Sequence, residues 1–201
     1  VINQMKFIKV WVVFILIVAI IAFLRFFVLK PVLVDGHSMD PTLADRERLM
    51  ITTLSTIKRQ DIVIAKEYDS TSDTPKKIVK RVIGLPGDTI TYHNDVLTVN
   101  GKVVKEPYLA DYQAQFKKDK LQSTYQYDAF FQRLARQSTA FTTSATGDAN
   151  FTVKVPEGQY YLMGDDRIVS QDSRRVGPFP KKDIIGEAKV RFWPLNRIGG
   201  V

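Results

Sequence analysis

Between Val10 and Leu24 the chain reads VWVVFILIVAIIAFL, fifteen apolar residues without a charge. A helix crossing the hydrocarbon core of a bilayer needs about 20 apolar residues, with a lower limit of about 17. The run is short by that measure, but beyond Arg25 it continues from Phe26 to Leu29. An arginine at that point can extend its guanidinium to the polar interface. Lys30 and Pro31 then close the segment. A cleaved export leader also has a basic start and an apolar stretch, but it ends in a small-x-small site. Here Arg25 to Pro31 is RFFVLKP, bulky and basic. The expectation is therefore a retained tail and transmembrane anchor over residues 1–31. Lys6 and Lys9 precede the run while Arg25 and Lys30 follow it. The positive-inside bias is slight and leans toward a cytoplasmic N-terminus with the rest of the chain exported.

The remaining residues, 32–201, are enough for a domain with a real core. The chain has no cysteine, so disulfides, thiolate catalysis and cysteine-held metals are excluded. A net charge of +8 suits nucleic acid and an anionic membrane surface equally. The apolar segment points to the lipid bilayer as partner and away from nucleic acid. Short apolar runs alternate with turn signals, an all-β pattern. Candidate strands are Val32–Val34, Arg48–Thr53, Asp61–Ala65, Lys77–Ile83, Thr89–His93, Val96–Val99, Tyr160–Met163 and Glu187–Phe192. Leu85-Pro86-Gly87-Asp88 carries tight-turn residues, and Asn94-Asp95 and Asn100-Gly101 read as hairpin corners. Residues Ala110 to Asn150 are instead rich in Gln, Lys, Ser and Thr, with a weakly helical spacing of Phe130, Phe131 and Leu134. The expected architecture is mainly β: an N-terminal transmembrane helix, then a β-rich catalytic domain over 32–201 with a small inserted subdomain at about 105–157.

Three stretches carry chemistry. In Gly36-His37-Ser38-Met39-Asp40-Pro41-Thr42-Leu43, a glycine and a proline flank a serine, a turn able to present a hydroxyl and its own N–H to a carbonyl. On its own the octet also reads as a plain surface turn. In Lys77–Asp88, strand alternation places Lys80 with Ile78 and Val82, and Arg81 with Val79 and Ile83. One of these two cations must sit among apolar neighbours. A desolvated lysine loses its charge more readily and can then accept a proton from a serine hydroxyl, whereas arginine stays charged. In Gly164–Arg175, small, hydroxyl and charged residues suit an ordered loop, with Asp172 paired to Arg174 or Arg81.

Taken together, Ser38-Met-x-Pro-Thr-Leu, Arg59-x-Asp61-Ile-Val, Lys80-Arg-Val-x-Gly-x-Pro-Gly-Asp and Gly164-Asp-x-Arg-x-x-Ser170-x-Asp172-Ser-Arg174 resemble the ordered signature boxes of bacterial type I signal peptidases, in particular the single-anchor Gram-positive members. The resemblance runs from the anchor to about Phe192 and constrains Ala110–Asn150 least. It implies a membrane-bound serine endopeptidase that needs no cofactor or metal. Such an enzyme cleaves signal peptides from exported preproteins after Ala-x-Ala-like sites. Ser38 would be the nucleophile and Lys80 the general base. Ser170 would hydrogen-bond the Lys80 amine, and Asp172, Arg174 and Arg81 would form a supporting network. Ser38 N–H would be one oxyanion donor. Members with a serine two residues before the nucleophile use its hydroxyl as the second donor. That position is Gly36 here, which leaves a water or another backbone N–H. Ile168-Val169 also departs from the Asp-Asn of many relatives, which would loosen the polar network.

Ser38 lies nine residues past Leu29, so extended chain keeps it within roughly 30 Å of the membrane exit. Cleavage at the end of a bilayer-lodged apolar segment then places the catalytic domain outside the cytoplasm. Val34, Met39, Leu43, Ile78 and Val79 are the candidates for lining shallow pockets for small side chains. A Ser-His-Asp hydrolase is disfavoured, since His37 adjoins the nucleophile and His93 sits beside a hairpin corner. Their spacing does not suit zinc either. A cytosolic Ser-Lys autoprotease with a DNA-binding module lacks its helix-turn-helix here. A tethered binding module without catalysis predicts that Ser38 and Lys80 are dispensable.

Overall fold

The computed structural model describes residues 2–23, 29–68 and 74–201. The first element is helix α1 (Ile2–Phe23). Val10, Trp11, Val12 and Val13, four consecutive residues that go once round the helix, are each at least half exposed, so apolar side chains project on every side. Among the described residues no helix is long and apolar enough to cross a membrane. Arg25 and its neighbours from 24 to 28, expected to finish the anchor, lie outside the described residues.

Among the described residues twelve strands follow in chain order: β1 (Leu29–Leu33), β2 (Arg48–Thr52), β3 (Ile62–Glu67), β4 (Lys76–Gly84), β5 (Thr89–His93), β6 (Val96–Val99), β7 (Lys102–Val104), β8 (Asn150–Lys154), β9 (Gln159–Met163), β10 (Phe179–Pro180), β11 (Ile184–Trp193) and β12 (Gly199–Gly200). They form two sheets. The larger runs β1-β2-β11-β3-β4-β9-β10, with β12 added beside β11, and the smaller runs β7-β6-β5-β8. β1 starts at Leu29, inside the stretch read as anchor.

The hairpin chemistry explains the smaller sheet. Asn94 and Asp95 both take positive φ (46° and 68°), as do Asn100 and Gly101 (51° and 78°). Two successive left-handed residues make the turn whose twist matches the flanking strands, which is why Asn, Asp and Gly stand there. Ile90, Tyr92, Leu97 and Val99 alternate inward into one core with Ile83 and Tyr161. A second core joins Ile78 and Val82 of β4 to Val63, Leu162 and Phe179.

Two helices lie between β7 and β8: α2 (Ala110–Asp119) and α3 (Ala129–Gln137). The weak helical spacing found α3, whose first turn is capped by Asp128 accepting from Phe130 N and Phe131 N. It missed α2, whose polar face leaves Phe116 as the one buried side chain. Both pack around Leu109, Tyr125 and Phe141, and this core also takes in Ile168, with Val169 against it. The Ile168-Val169 departure therefore has a packing reason: the loop is apolar where the helices cover it. A further short helix, α4 (Ser173–Val176), is capped by Asp172.

Candidate active site

The turn carrying Ser38 is held from below. Val34, Met39 and Leu43 are at most 2% exposed and belong to one core with Leu49, Ile51, Ile62 and Ile64. They were expected to line substrate pockets. The structure corrects this, because residues flanking an exposed turn are the ones that must be buried to fix it. Ile78 and Val79 do line the cleft beside Ser38 and Lys80, a cavity of about 230 Å³.

From above, the Gly164–Ser170 loop clamps the same turn. Asp166 N–H donates to the Ser38 carbonyl at 3.1 Å, and Thr42 Oγ1 donates to Asp165 Oδ2 at 2.6 Å. A Cβ on Gly164 would collide with the Ser38 carbonyl oxygen and with Ser170 Oγ. Glycine is required there by close approach rather than by dihedral freedom.

Lys80 comes from the opposite wall. β3 and β4 pair antiparallel with Val63 opposite Lys80, and alternation turns Lys80 to the Ile78–Val82 face as expected. Its Nζ lies 2.6 Å from Ser38 Oγ. Lys80 is 4% exposed. Burial lowers its pKa to about 8, although the carboxylates of Asp172 and Glu67 pull it back up. A lowered lysine pKa from desolvation is what makes an amine usable as a base near neutrality.

Arg81, next in the chain, faces the other way and meets acceptors on all sides. Its Nε and Nη2 bond both oxygens of Asp165 (2.8 and 2.6 Å), Nη1 donates to Gln60 O, and the guanidinium lies 3.8 Å above the Tyr108 ring. Asp172 pairs with Arg174, which donates from Nε at 2.9 Å and Nη2 at 2.8 Å. Burial alone would raise the Asp172 pKa, but Arg174, Gly164 N–H and Lys80 outweigh it and hold it at about 2. The two alternatives for Asp172 thus resolve to Arg174, and Arg81 belongs to Asp165, a residue given no role from sequence. Arg59 of the second box bonds Ile83 O and Asp88 and braces the end of β4.

Ser170 does not do what was expected of it in this state. Its Oγ is buried and has no hydrogen-bond partner, and the Lys80 amine points to Ser38 instead. Three further groups near the site were given no role from sequence. Asp166 accepts from Tyr125 Oη at 2.6 Å, and burial raises its pKa to about 7. Arg167 is fully buried against Glu106 and Tyr92. His37 reaches Asp40 Oδ2 with Nδ1 at 2.8 Å. A His–Asp pair thus stands beside the nucleophile, yet the hydroxyl is engaged by Lys80. His93 is exposed on β5.

A hydroxyl in contact with a buried, weakly basic amine, on a β scaffold, has the makings of a serine–lysine hydrolase. Residues 6–193 match the model of the family described as signal peptidase, peptidase S26, and the chain belongs to that family of peptidases. It is 53% identical over 201 residues to a signal peptidase I of Streptococcus pneumoniae, covering 96% of this chain and 97% of that protein. It is 40% identical to a signal peptidase I of Bacillus amyloliquefaciens (94% and 89% covered). It is also 37% identical to signal peptidase I S of Bacillus subtilis (98% and 95% covered). A crystal structure of a signal peptidase I from Enterococcus faecalis shares 27% identity, covering 66% of this chain and 97% of that one, with a TM-score of 0.45.

Proposed function

We propose that this chain is a membrane-anchored serine endopeptidase that removes N-terminal signal peptides from exported preproteins after small-x-small sites. The contact between Ser38 Oγ and Lys80 Nζ is the observation that carries this reading. The relatives named signal peptidase I supply the substrate class.

With a pKa of about 8, roughly a tenth of Lys80 is neutral at pH 7. In that form it accepts the Ser38 proton as Oγ attacks the scissile carbonyl, then gives it to the leaving amine as the C–N bond breaks. In the second half it takes a proton from water as the water oxygen attacks the ester, then gives that proton to Ser38 Oγ as the C–O bond breaks, which frees the carboxylic product and restores neutral Lys80. Ser38 N–H is one oxyanion donor. Gly36 cannot be the other: it has no hydroxyl, and its N–H already donates to Asp45 Oδ1 at 2.8 Å. Ser170 Oγ, free of other bonds, is the acceptor for the Lys80 ammonium once Lys80 has taken the proton. Asp172, Arg174 and the Arg81–Asp165 pair hold the walls. Ile78 and Val79 line the space for small substrate side chains.

The anchor is α1 together with the apolar residues up to β1. A helix apolar on every side has no face to dock on a soluble core, and lipid suits it. Ser38 then lies close to the bilayer, with the N-terminus cytoplasmic and residues 32–201 outside, the 105–157 segment forming an inserted subdomain. Purified protein in lipid, mixed with an exported precursor, tests the reading. Ser38→Ala and Lys80→Arg should each lose about four orders of magnitude in kcat/KM while remaining folded. Cleavage by Ser38→Ala at the wild-type rate would overturn it.

A further inference from the structure

The insertion touches the catalytic loop through one hydroxyl. Tyr125 lies between α2 and α3 and is fully buried in the helical core with Leu109, Leu121 and Phe141. Its Oη leaves that apolar setting and donates to Asp166 Oδ1 at 2.6 Å. The same oxygen accepts from the N–H groups of Ile168 and Val169 at 3.2 and 3.4 Å. The bond from Tyr125 is the shortest of these, and it comes from the insertion. A tyrosine used only for packing does not need its hydroxyl, since phenylalanine fills the same space with no polar group to satisfy.

The Asp166 backbone carries the consequence to the reacting groups. Its N–H donates to the Ser38 carbonyl at 3.1 Å, and its carbonyl accepts from Ser170 N–H at 3.0 Å. Gly164, in the same loop, lies so close to Ser38 O and Ser170 Oγ that a Cβ there would overlap both. Asp166 thus bonds on one side to the nucleophile's residue and on the other to the serine proposed to receive the Lys80 ammonium. With its carboxyl anchored, the spacing of the two is fixed. A misplacement of about 1 Å in such a site can cost about 100-fold in rate.

We infer that Tyr125 is a positioning residue for the reaction, its hydroxyl acting through Asp166 to hold Ser38 and Ser170 in register for proton exchange with Lys80. This rests on the endopeptidase reading above. It extends the catalytic apparatus into the insertion, the part of the chain that the family resemblance constrains least.

The test uses the full chain in lipid with an exported precursor. Tyr125→Phe should lower kcat by about tenfold with KM unchanged, because the substrate contacts stay in place while the reacting groups shift. Phe116→Leu thins the same core without touching the bond to Asp166. It should lower Tm yet keep the wild-type kcat at a temperature well below the transition. Asp166→Ala should lose at least as much kcat as Tyr125→Phe, and the double variant no more than Asp166→Ala alone. Asp166→Asn, which still accepts from Tyr125, should recover most of that loss. If Tyr125→Phe fails to fold, the difference between Asp166→Ala and Asp166→Asn must by itself appear in kcat. Wild-type kcat in folded Tyr125→Phe, additive losses in the double variant, or an equal kcat loss in Phe116→Leu overturns the inference and assigns Tyr125 to packing. An active Ser38→Ala enzyme, by contrast, overturns the endopeptidase reading itself.

Discussion

Lys80 and Arg81 are neighbours on one strand, both cationic and both nearly buried at 4% and 7% exposure, yet they face opposite chemistry. Arg81 points into a site built of acceptors: both oxygens of Asp165, the Gln60 carbonyl and the Tyr108 face. Lys80 shares its face of the strand with Ile78, Val82 and the cross-strand Val63, and its amine has one hydroxyl in contact. Burial with a full set of partners preserves a charge and makes it structural. Burial without them lowers the pKa and leaves a neutral fraction of the amine that can react as a base near neutrality.

The largest stability effect should come from breaking the satisfied side. Arg81→Ala leaves Asp165 buried and unpaired beside Thr42, at a cost of about 3–5 kcal/mol, read as a fall in denaturant midpoint. The unsatisfied side should respond with the opposite sign. Lys80→Met removes a desolvated amine and should stabilise the protein by up to about 3 kcal/mol at pH 7 while abolishing cleavage. That gain depends on pH. The native Lys80 pKa is lowered from 10.5 to about 8, so the folded protein binds fewer protons than the unfolded chain between those values. Wild-type stability therefore rises with pH across that window, and the advantage of Lys80→Met shrinks toward pH 10.

Asp166 sharpens the contrast from the carboxylate side. Its Oδ1 is fully used, while its buried Oδ2 has no partner. Its pKa rises from 3.8 to about 7, so the folded state holds the proton longer, and stability falls as pH climbs through 4 to 7. Asp166→Asn keeps an acceptor for Tyr125 and should flatten that slope, with equal Tm near pH 4 and a higher Tm than wild type at pH 8.

The Lys80–Arg81 contrast was half legible in the sequence. Period-two alternation placed each cation on the correct face and required one of them to sit among apolar residues. It could not say which, because the acceptors for Arg81 come from Gln60 and Asp165, far apart in the chain. The strands at Thr89–His93 and Val96–Val99 were found to the residue, since Asn-Asp and Asn-Gly corners mark their ends. β7, β10 and β12 were missed because two or three residues hold no period. β8 was missed because its register against β5 is set by tertiary pairing. Val34, Met39 and Leu43 were misplaced for a related reason: proximity to a nucleophile in sequence does not distinguish the cleft wall from the core beneath it. Phe131 reaches the cleft because α3 packs on the core that also takes in Ile168 and Val169, and no local signal announces it.

The central claim is that burial among apolar neighbours turns Lys80 into the base for Ser38. The pH dependence of kcat/KM for precursor cleavage measures it directly, since its acid limb reports the essential base of the free enzyme. The expected profile rises tenfold per pH unit and levels off with a midpoint near 8. A midpoint near 6.5, the ordinary histidine value, or above 10, that of a solvated lysine, would contradict the account.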